Sequence, residues 1–177
     1  TGANATVGHG LGVAPSMVIV KSRSSGADGW PVYHSKVGAT NWLALNLTNA
    51  ASASSTFWND TAPTSSLVSI GTNSGVNTNS GTYVAYCFAA IAGYSAFGSY
   101  TGNGSTDGPF VYCGFRPRFI IGKPTSATGE WRIYDTSRSP YNAATQQLYA
   151  DLAIAENNNV AYSFDILSNG FKSRGAY

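Results

Sequence analysis

The sequence contains an internal repeat whose period is close to the length of a small domain. A Trp-x-x-Tyr motif begins at Trp30 and again at Trp131, 101 positions later. A proline that precedes an apolar run occurs at Pro15 and again at Pro117, 102 positions later. Solenoid repeats have units of roughly 20–50 residues, whereas small domains have roughly 100–150. The sequence therefore predicts two copies of one domain-sized unit.

Short β-strands are expected in both copies. Runs rich in β-branched and aromatic residues are bounded by Gly, Ser, Asn or Pro, a pattern typical of antiparallel sheets. The expected strands are 18–21, 31–34, 42–48, 67–70 and 82–89 in the first copy and 110–115, 118–123, 131–135, 147–152 and 162–167 in the second. We predict an all-β protein of two similar antiparallel units, each like a β-sandwich or jelly roll. The units are a first repeat at 1–90, a connector at 91–100 and a second repeat at 101–177.

The second copy lacks a counterpart to the last strand of the first. Residues 164–168 match 67–70, but the strand at 82–89 has no match before the sequence ends at Tyr177. A sheet that is short of one strand has an edge of unpaired N–H and C=O groups. We therefore expect protein to cover this edge, from a longer chain or from other copies in a homo-oligomer. The chain begins at Thr1 without a methionine, as expected of a processed product or a segment of a longer protein.

The composition excludes several functional classes. Charged residues make up 10% of the chain and the net charge is +2, whereas globular domains average about 25% charged residues. Without a cluster of Lys and Arg, the chain is not expected to bind nucleic acid. Without an apolar run of about 20 residues, it is not expected to insert into a membrane. A surface of neutral hydroxyl and amide groups suits hydrogen bonding to sugars.

Catalytic residues are difficult to assemble from this sequence. His9 lies in a glycine-rich loop with no helix after it to bind phosphate, and His34 stands where the second copy has Asp135. Glycosidases need two carboxylates about 5–9.5 Å apart. Glu130 and Asp135 are an odd number of residues apart on one expected strand, so they face opposite sides of the sheet. We therefore predict a protein that is not an enzyme and needs no cofactor.

Metal binding and disulfide formation are not expected either. Two groups of residues offer oxygen ligands for calcium: the run Asn157, Asn158 and Asn159, and the pair Asn103 and Asp107. Neither group has the spacing of an EF-hand. Asn-rich turns explain both. Cys87 and Cys113 lack the spacing of a zinc site, and we expect both to be buried free thiols.

The aromatic residues give the candidate ligand-binding sites. The aromatic residues present in both copies are expected in the core: Trp30, Tyr33, Trp131 and Tyr134. Two polar loops without a second copy each place an aromatic ring beside short polar groups, a combination that suits sugars. The candidate residues in these loops are Trp58, Asn59 and Asp60, and Arg138, Tyr141 and Asn142. The same residues could instead anchor their loops.

Several longer motifs resemble a module of tail-fibre and other virion proteins of marine tailed bacteriophages. The motifs are HGLGVAP (9–15), WNDTAPT (58–64), YVAYCFA (83–89), FGSYTGNG (97–104), GFRP (114–117), WRIYD (131–135) and RSPYN (138–142). The resemblance covers essentially the whole chain. In such proteins the module often follows a concanavalin-like lectin domain, and its second copy usually ends in a Tyr-rich strand. The resemblance assigns no functional residues.

The resemblance implies a non-enzymatic domain of a bacteriophage tail fibre or surface appendage, located on the virion. Its expected partners are other virion subunits and a glycan of the host surface. A homo-oligomer is expected, and a trimer is favoured because fibre proteins commonly assemble as trimers. One alternative is a purely structural spacer or capsid-decorating protein. Another is a secreted carbohydrate-binding module or a fragment of a polysaccharide depolymerase.

Overall fold

The protein is all-β and its sheets are antiparallel, as the sequence predicts. The computed structural model describes residues 2–175, so the outermost residues of the two predicted repeats lie outside the described part. The chain forms two compact units, Thr1–Ala90 with Pro124–Gly129, and Ile91–Lys123 with Glu130–Tyr177. The predicted connector, residues 91–100, thus groups with the second unit.

The first unit contains two antiparallel sheets. Its elements are β1 (Ala5–Gly8), β2 (Met17–Ser22), β3 (Pro31–His34), β4 (Asn41–Ala44), β5 (Ser52–Ala53), the helical turn α1 (Ser55–Trp58), β6 (Leu67–Ile70) and β7 (Tyr83–Phe88). The larger sheet has the order β5-β4-β3-β2-β7, and β1 pairs with β6 in the smaller one. β2 lies inside the larger sheet, between β3 and β7, and its residues Met17, Val18 and Val20 are buried.

The core of the first unit draws on both sheets and on α1. Its buried residues are Val18, Val20, Tyr33, Ala39, Phe57, Trp58, Val68 and Val76. The Trp42 ring stacks on Phe57 at 3.9 Å between centroids. Tyr33 meets Trp58 edge to face at 6.0 Å. The aromatic side chains of α1 therefore fasten this turn to the larger sheet.

The turn α1 was not expected from the sequence. Ser54 caps it, because the Ser54 side chain accepts a hydrogen bond from the backbone N–H of Thr56. Four residues are too few to show a helical period, so the sequence pattern does not distinguish this segment from a loop. α1 also lies very close to β6, since a Cβ added at Gly71 would come within 2.2 Å of the Thr56 carbonyl oxygen.

The second unit also contains two antiparallel sheets. Its strands are β8 (Phe110–Tyr112), β9 (Phe119–Gly122), β10 (Arg132–Asp135), β11 (Gln146–Tyr149), β12 (Asn157–Asn158), β13 (Phe164–Leu167) and β14 (Gly170–Ser173), with a 3₁₀ turn at Val160–Tyr162. The orders are β12-β11-β10-β9 and β13-β14-β8. The core of this unit contains the buried residues Ile120, Tyr134, Ala144, Phe164 and Ile166.

The first hairpin of each larger sheet has the same register. Tyr33 pairs with Val18 in the first unit, and Tyr134 pairs with Ile120 in the second. Tyr33 and Tyr134 are 101 positions apart, and Val18 and Ile120 are 102 positions apart. These are the two offsets of the sequence repeat. The smaller sheets of the two units differ. In the first unit β6 pairs with β1, whereas in the second unit β14 lies between β8 and β13. β13, which corresponds to β6 in the sequence repeat, is therefore an edge strand that pairs with β14. That the units are copies of one fold stays a prediction, which superposition of the two units tests.

Three of the four recurring aromatic residues are buried, namely Tyr33, Trp131 and Tyr134. Trp30 is only half-buried, and the Lys21 ammonium lies over its ring, 5.6 Å from the centroid. The expectation that Trp30 is a core residue is therefore wrong, because its side chain remains partly open to solvent. No helix within residues 2–175 is long and apolar enough to cross a membrane.

The two cysteines are free and half-buried. Burial raises the pKa of the Cys87 thiol and that of the Cys113 thiol. Both residues therefore behave as weakly reactive, mostly protonated thiols at neutral pH.

Candidate ligand-binding site

The first candidate loop divides into a core residue and an exposed turn. Trp58 is 1% exposed, so its ring offers no face to a ligand and acts in packing. Asn59 and Asp60 are exposed and both have left-handed backbone angles, with φ of 51° and 49°. Asn59 accepts a hydrogen bond from the Asn4 side chain at 2.7 Å. The segment is therefore an anchored turn after α1, with Asp60 as its exposed charge.

The second candidate loop contains two anchors and one free ring. Arg138 donates to the Asp135 carboxylate at 2.7 Å and to Glu156 at 3.1 Å. The Asn142 side chain is bonded in both directions to the backbone of Ile166, at 3.1 Å and 2.9 Å. Tyr141, in contrast, is 84% exposed. Only the tyrosine is available to stack against a ligand.

Most cations of the second unit are held by carboxylates. The ion pairs are Arg132–Glu130 at 2.5 Å, Arg138–Asp135 at 2.7 Å, Arg138–Glu156 at 3.1 Å, Lys172–Asp107 at 2.6 Å, Arg174–Asp107 at 3.5 Å and Arg174–Asp165 at 2.6 Å. Within residues 2–175, neither Arg116 nor Arg118 forms an ion pair or a side-chain hydrogen bond. These two guanidinium groups are therefore available to an external anion.

The two unpaired arginines line one open pocket of about 470 Å³. Its lining residues are Arg116, Arg118, Thr136, Ser137 and Pro140, and we call it the arginine pocket. Guanidinium groups bind carboxylate, sulfate or phosphate with two parallel hydrogen bonds. The hydroxyl groups of the lining can donate to or accept from a sugar.

Strand pairing brings the two halves of this pocket together. β9 and β10 are antiparallel, with Phe119 opposite Asp135, so the residues before β9 lie beside those after β10. The Thr136 N–H donates to the Arg118 carbonyl at 3.1 Å and extends the ladder by one pair. Asp135 then turns the chain, since its carboxylate accepts from the backbone N–H groups of Ser137 and Arg138, both at 2.9 Å.

The residues of the arginine pocket were not predicted from the sequence. It did contain a signal: Arg116 and Arg118 flank Pro117 directly before an apolar strand, and polar residues follow the strand expected to pair with it. A hairpin places these two segments at the same end. Aromatic residues within single loops do not indicate this pocket, because its lining comes from two separate chain segments.

Two titratable groups, Asp135 and His34, have lowered pKa values. Hydrogen bonds from the Arg138 backbone and side chain hold the pKa of Asp135 below its usual value, whereas a general acid needs a raised pKa. Burial, together with the nearby Lys36 charge, lowers the pKa of His34. Within residues 2–175, no three His, Cys, Asp or Glu residues are grouped to hold a metal ion.

Residues 1–176 match the family described as Domain of unknown function (DUF7483). The chain therefore belongs to this family. No curated protein and no solved structure matches the chain.

Proposed function

We propose that this member of the DUF7483 family is a non-enzymatic bacteriophage virion domain that attaches to anionic glycans on the host-cell surface. The assignment to a tail fibre or surface appendage rests on the motif resemblance. The choice of ligand rests on the arginine pocket.

The proposed ligand class rests on a difference in ion pairing among the arginines of the second unit. Arg132, Arg138 and Arg174 are each bound to carboxylates, whereas Arg116 and Arg118 line an open pocket. In a chain with only 10% charged residues, two cations without an ion pair line the same pocket. A bound anion would attract both and offset their mutual repulsion. An acidic sugar supplies that anion together with hydroxyl groups.

A non-enzymatic role is supported by the state of the carboxylates. Asp107, Glu130, Asp135, Glu156 and Asp165 are all engaged in ion pairs. Asp151 accepts from the Trp131 backbone N–H at 3.2 Å, and Asp28 accepts from the Ser74 hydroxyl at 2.9 Å. Glycoside hydrolysis needs a protonated acid beside a second free carboxylate. Among the eight carboxylates, all of which lie within residues 2–175, only the exposed Asp60 has neither an ion pair nor a side-chain hydrogen bond, so it has no second free carboxylate as a partner.

The test is a binding measurement on host-surface polysaccharides with and without acidic groups. The full chain is titrated with carboxylated or sulfated polysaccharide and with a neutral polysaccharide of the same length. We expect binding to the acidic polymer only, weakening as salt rises because exposed charges are screened over about 10 Å at 0.1 M.

A matched pair of double variants locates the site. Arg116→Ala with Arg118→Ala removes two exposed charges from the arginine pocket and should reduce affinity at least about tenfold, since each charged hydrogen bond contributes about 1.5–3 kcal/mol. Arg23→Ala with Lys36→Ala removes the same charge from exposed positions of the first unit and should leave affinity unchanged. Equal loss in both variants would mean nonspecific charge attraction. Absence of binding to any polysaccharide would favour the structural-spacer alternative.

A further inference from the structure

We propose that β9 of the second unit receives an additional, antiparallel, uncharged and aromatic β-strand donated by another polypeptide segment. Within residues 2–175, β9 pairs only with β10 and ends its sheet. In the first unit, the strand with the same hairpin register, β2, is covered on its other side by β7. The larger sheet of the second unit therefore lacks one strand relative to the first.

The hydrogen-bonding groups of β9 show which residues are open. The bond from the Thr136 N–H to the Arg118 carbonyl fixes the alternation of the β9–β10 ladder, in which every second residue points its N–H and C=O at the partner strand. Arg118, Ile120 and Gly122 thus face β10. Phe119 and Ile121 direct their N–H and C=O groups away from it, to the open edge.

The first unit shows these same positions in use. The Arg23 N–H donates to the Thr82 carbonyl at 2.7 Å, which places the hydrogen-bonded pairs between β2 and β7 at alternate residues. Ile19 is one of them and its partner is Tyr86. Ile121 lies 102 positions after Ile19, and Ile120 lies 102 positions after Val18. Ile121 is therefore the residue of β9 that corresponds to Ile19 of β2. A strand added at β9 would therefore place a residue equivalent to Tyr86 opposite Ile121.

The side chains of β9 match such a partner. Ile120 faces the core and is 8% exposed, whereas Phe119 is 58% exposed. Natural edge strands are protected by charges, prolines or bulges within the strand. Residues 119–122 contain none of these, and Phe119 and Ile121 share one face next to the open edge. An aromatic side chain on an added strand would cover this apolar face.

Charge decides between a donated strand and a second copy of β9. Arg118 and Lys123 flank β9, so pairing of two β9 strands would bring four cations together. β2 has cationic residues at its C-terminal end, Lys21 and Arg23, the end that corresponds to Lys123, and the strand paired with it, β7, carries no charge. The occupant that fits β9 is therefore an uncharged, alternating aromatic strand of the β7 kind, added as in other cases of β-strand addition.

The test uses a synthetic peptide of residues 82–89 with Cys87→Ser, added in trans to the ¹⁵N-labelled full chain. Amide hydrogen exchange is measured by NMR at Phe119 and Ile121. We expect the peptide to slow exchange at these two amides at least about threefold at millimolar concentration, because the new ladder bonds must open before exchange. The amides of Ile120 and Gly122, already paired with β10, should not change.

Two modified peptides serve as matched controls, and neither alters the folding of the protein. A methyl group on the backbone nitrogen of Tyr86 removes a bond to β9 and should abolish the protection. The same modification at Ala85, whose N–H points away from the receiving strand, should leave protection intact. The proposal is overturned if no peptide protects these amides or if both modified peptides act alike. Protection that rises with protein concentration alone would also overturn it, in favour of a second copy.

Discussion

Replacement of Trp58 separates a packing role from a ligand role. The side chain is 1% exposed and contacts the rings of Tyr33 and Phe57, with centroids 6.0 Å and 6.4 Å away. Truncating such a residue to alanine removes the buried ring and leaves a cavity, at a cost of about 3–5 kcal/mol. This is a large share of the roughly 5–15 kcal/mol that stabilises a typical domain.

Trp58→Phe is the matched control because the indole nitrogen is buried without a hydrogen-bond partner. Phenylalanine keeps an aromatic ring beside Tyr33 and removes the unsatisfied donor, whose burial costs about 1–3 kcal/mol. The smaller ring loses packing of similar magnitude, so we expect a net change below about 1.5 kcal/mol. The predicted order of stability is wild type close to Trp58→Phe, with Trp58→Ala far below both.

Urea unfolding of the three proteins, followed by far-UV circular dichroism, measures this order. The midpoint of Trp58→Ala should fall strongly while the slope of free energy against urea stays similar. If Trp58→Ala unfolds at the wild-type midpoint and loses polysaccharide binding, the core assignment is refuted and the ligand role of Trp58 is restored.

Three further predictions follow from burial and charge. Trp131→Ala should lower the free energy of unfolding by about 3–5 kcal/mol. Trp30→Ala should lower it less, because Trp30 is only half-buried, and thermal unfolding of both variants measures this order. The lowered pKa of Asp135 stabilises the fold above the ordinary carboxyl pKa, and this stabilisation is lost as pH falls through the lowered value. Asp135→Asn should therefore be less stable than wild type at pH 7, with the difference shrinking below about pH 4; urea midpoints across this range would contradict the reasoning if the difference were constant. Burial raises the pKa of Cys87, so at pH 8 iodoacetamide should alkylate the native protein more slowly than the urea-unfolded chain, and equal rates would show an accessible thiolate.

Strands with a strong local signal could be predicted from the sequence, since β2 and β7 are runs of apolar and aromatic residues bounded by turn residues. The strands β1, β5, β12 and β14 were not predicted, because they are short or lack a run of β-branched and aromatic residues. The pairing of β14 with β8 was not predictable, since it depends on a close approach that sequence patterns do not show. A Cβ added at Gly170 would lie 2.0 Å from the Val111 carbonyl oxygen, so glycine permits this contact.

The candidate site was only partly predictable. Exposed aromatic residues can be listed from a sequence, but burial separates Trp58 from Tyr141, and only the fold determines burial. The availability of a cation is likewise a property of the fold. Arg138 and Arg118 look equivalent in sequence, yet Arg138 lies between Asp135 and Glu156, whereas Arg118 lines the arginine pocket.

The most direct test of the central proposal follows one acidic host-surface polysaccharide during incubation with the full chain. Light scattering coupled to size-exclusion chromatography reports both the protein bound to the polymer and the molar mass of the polymer itself. We expect protein to elute with the polymer at low salt, and the polymer to keep its length after prolonged incubation. A polymer that shortens with time would contradict a non-enzymatic role. A polymer of constant length that carries no protein would contradict the attachment function.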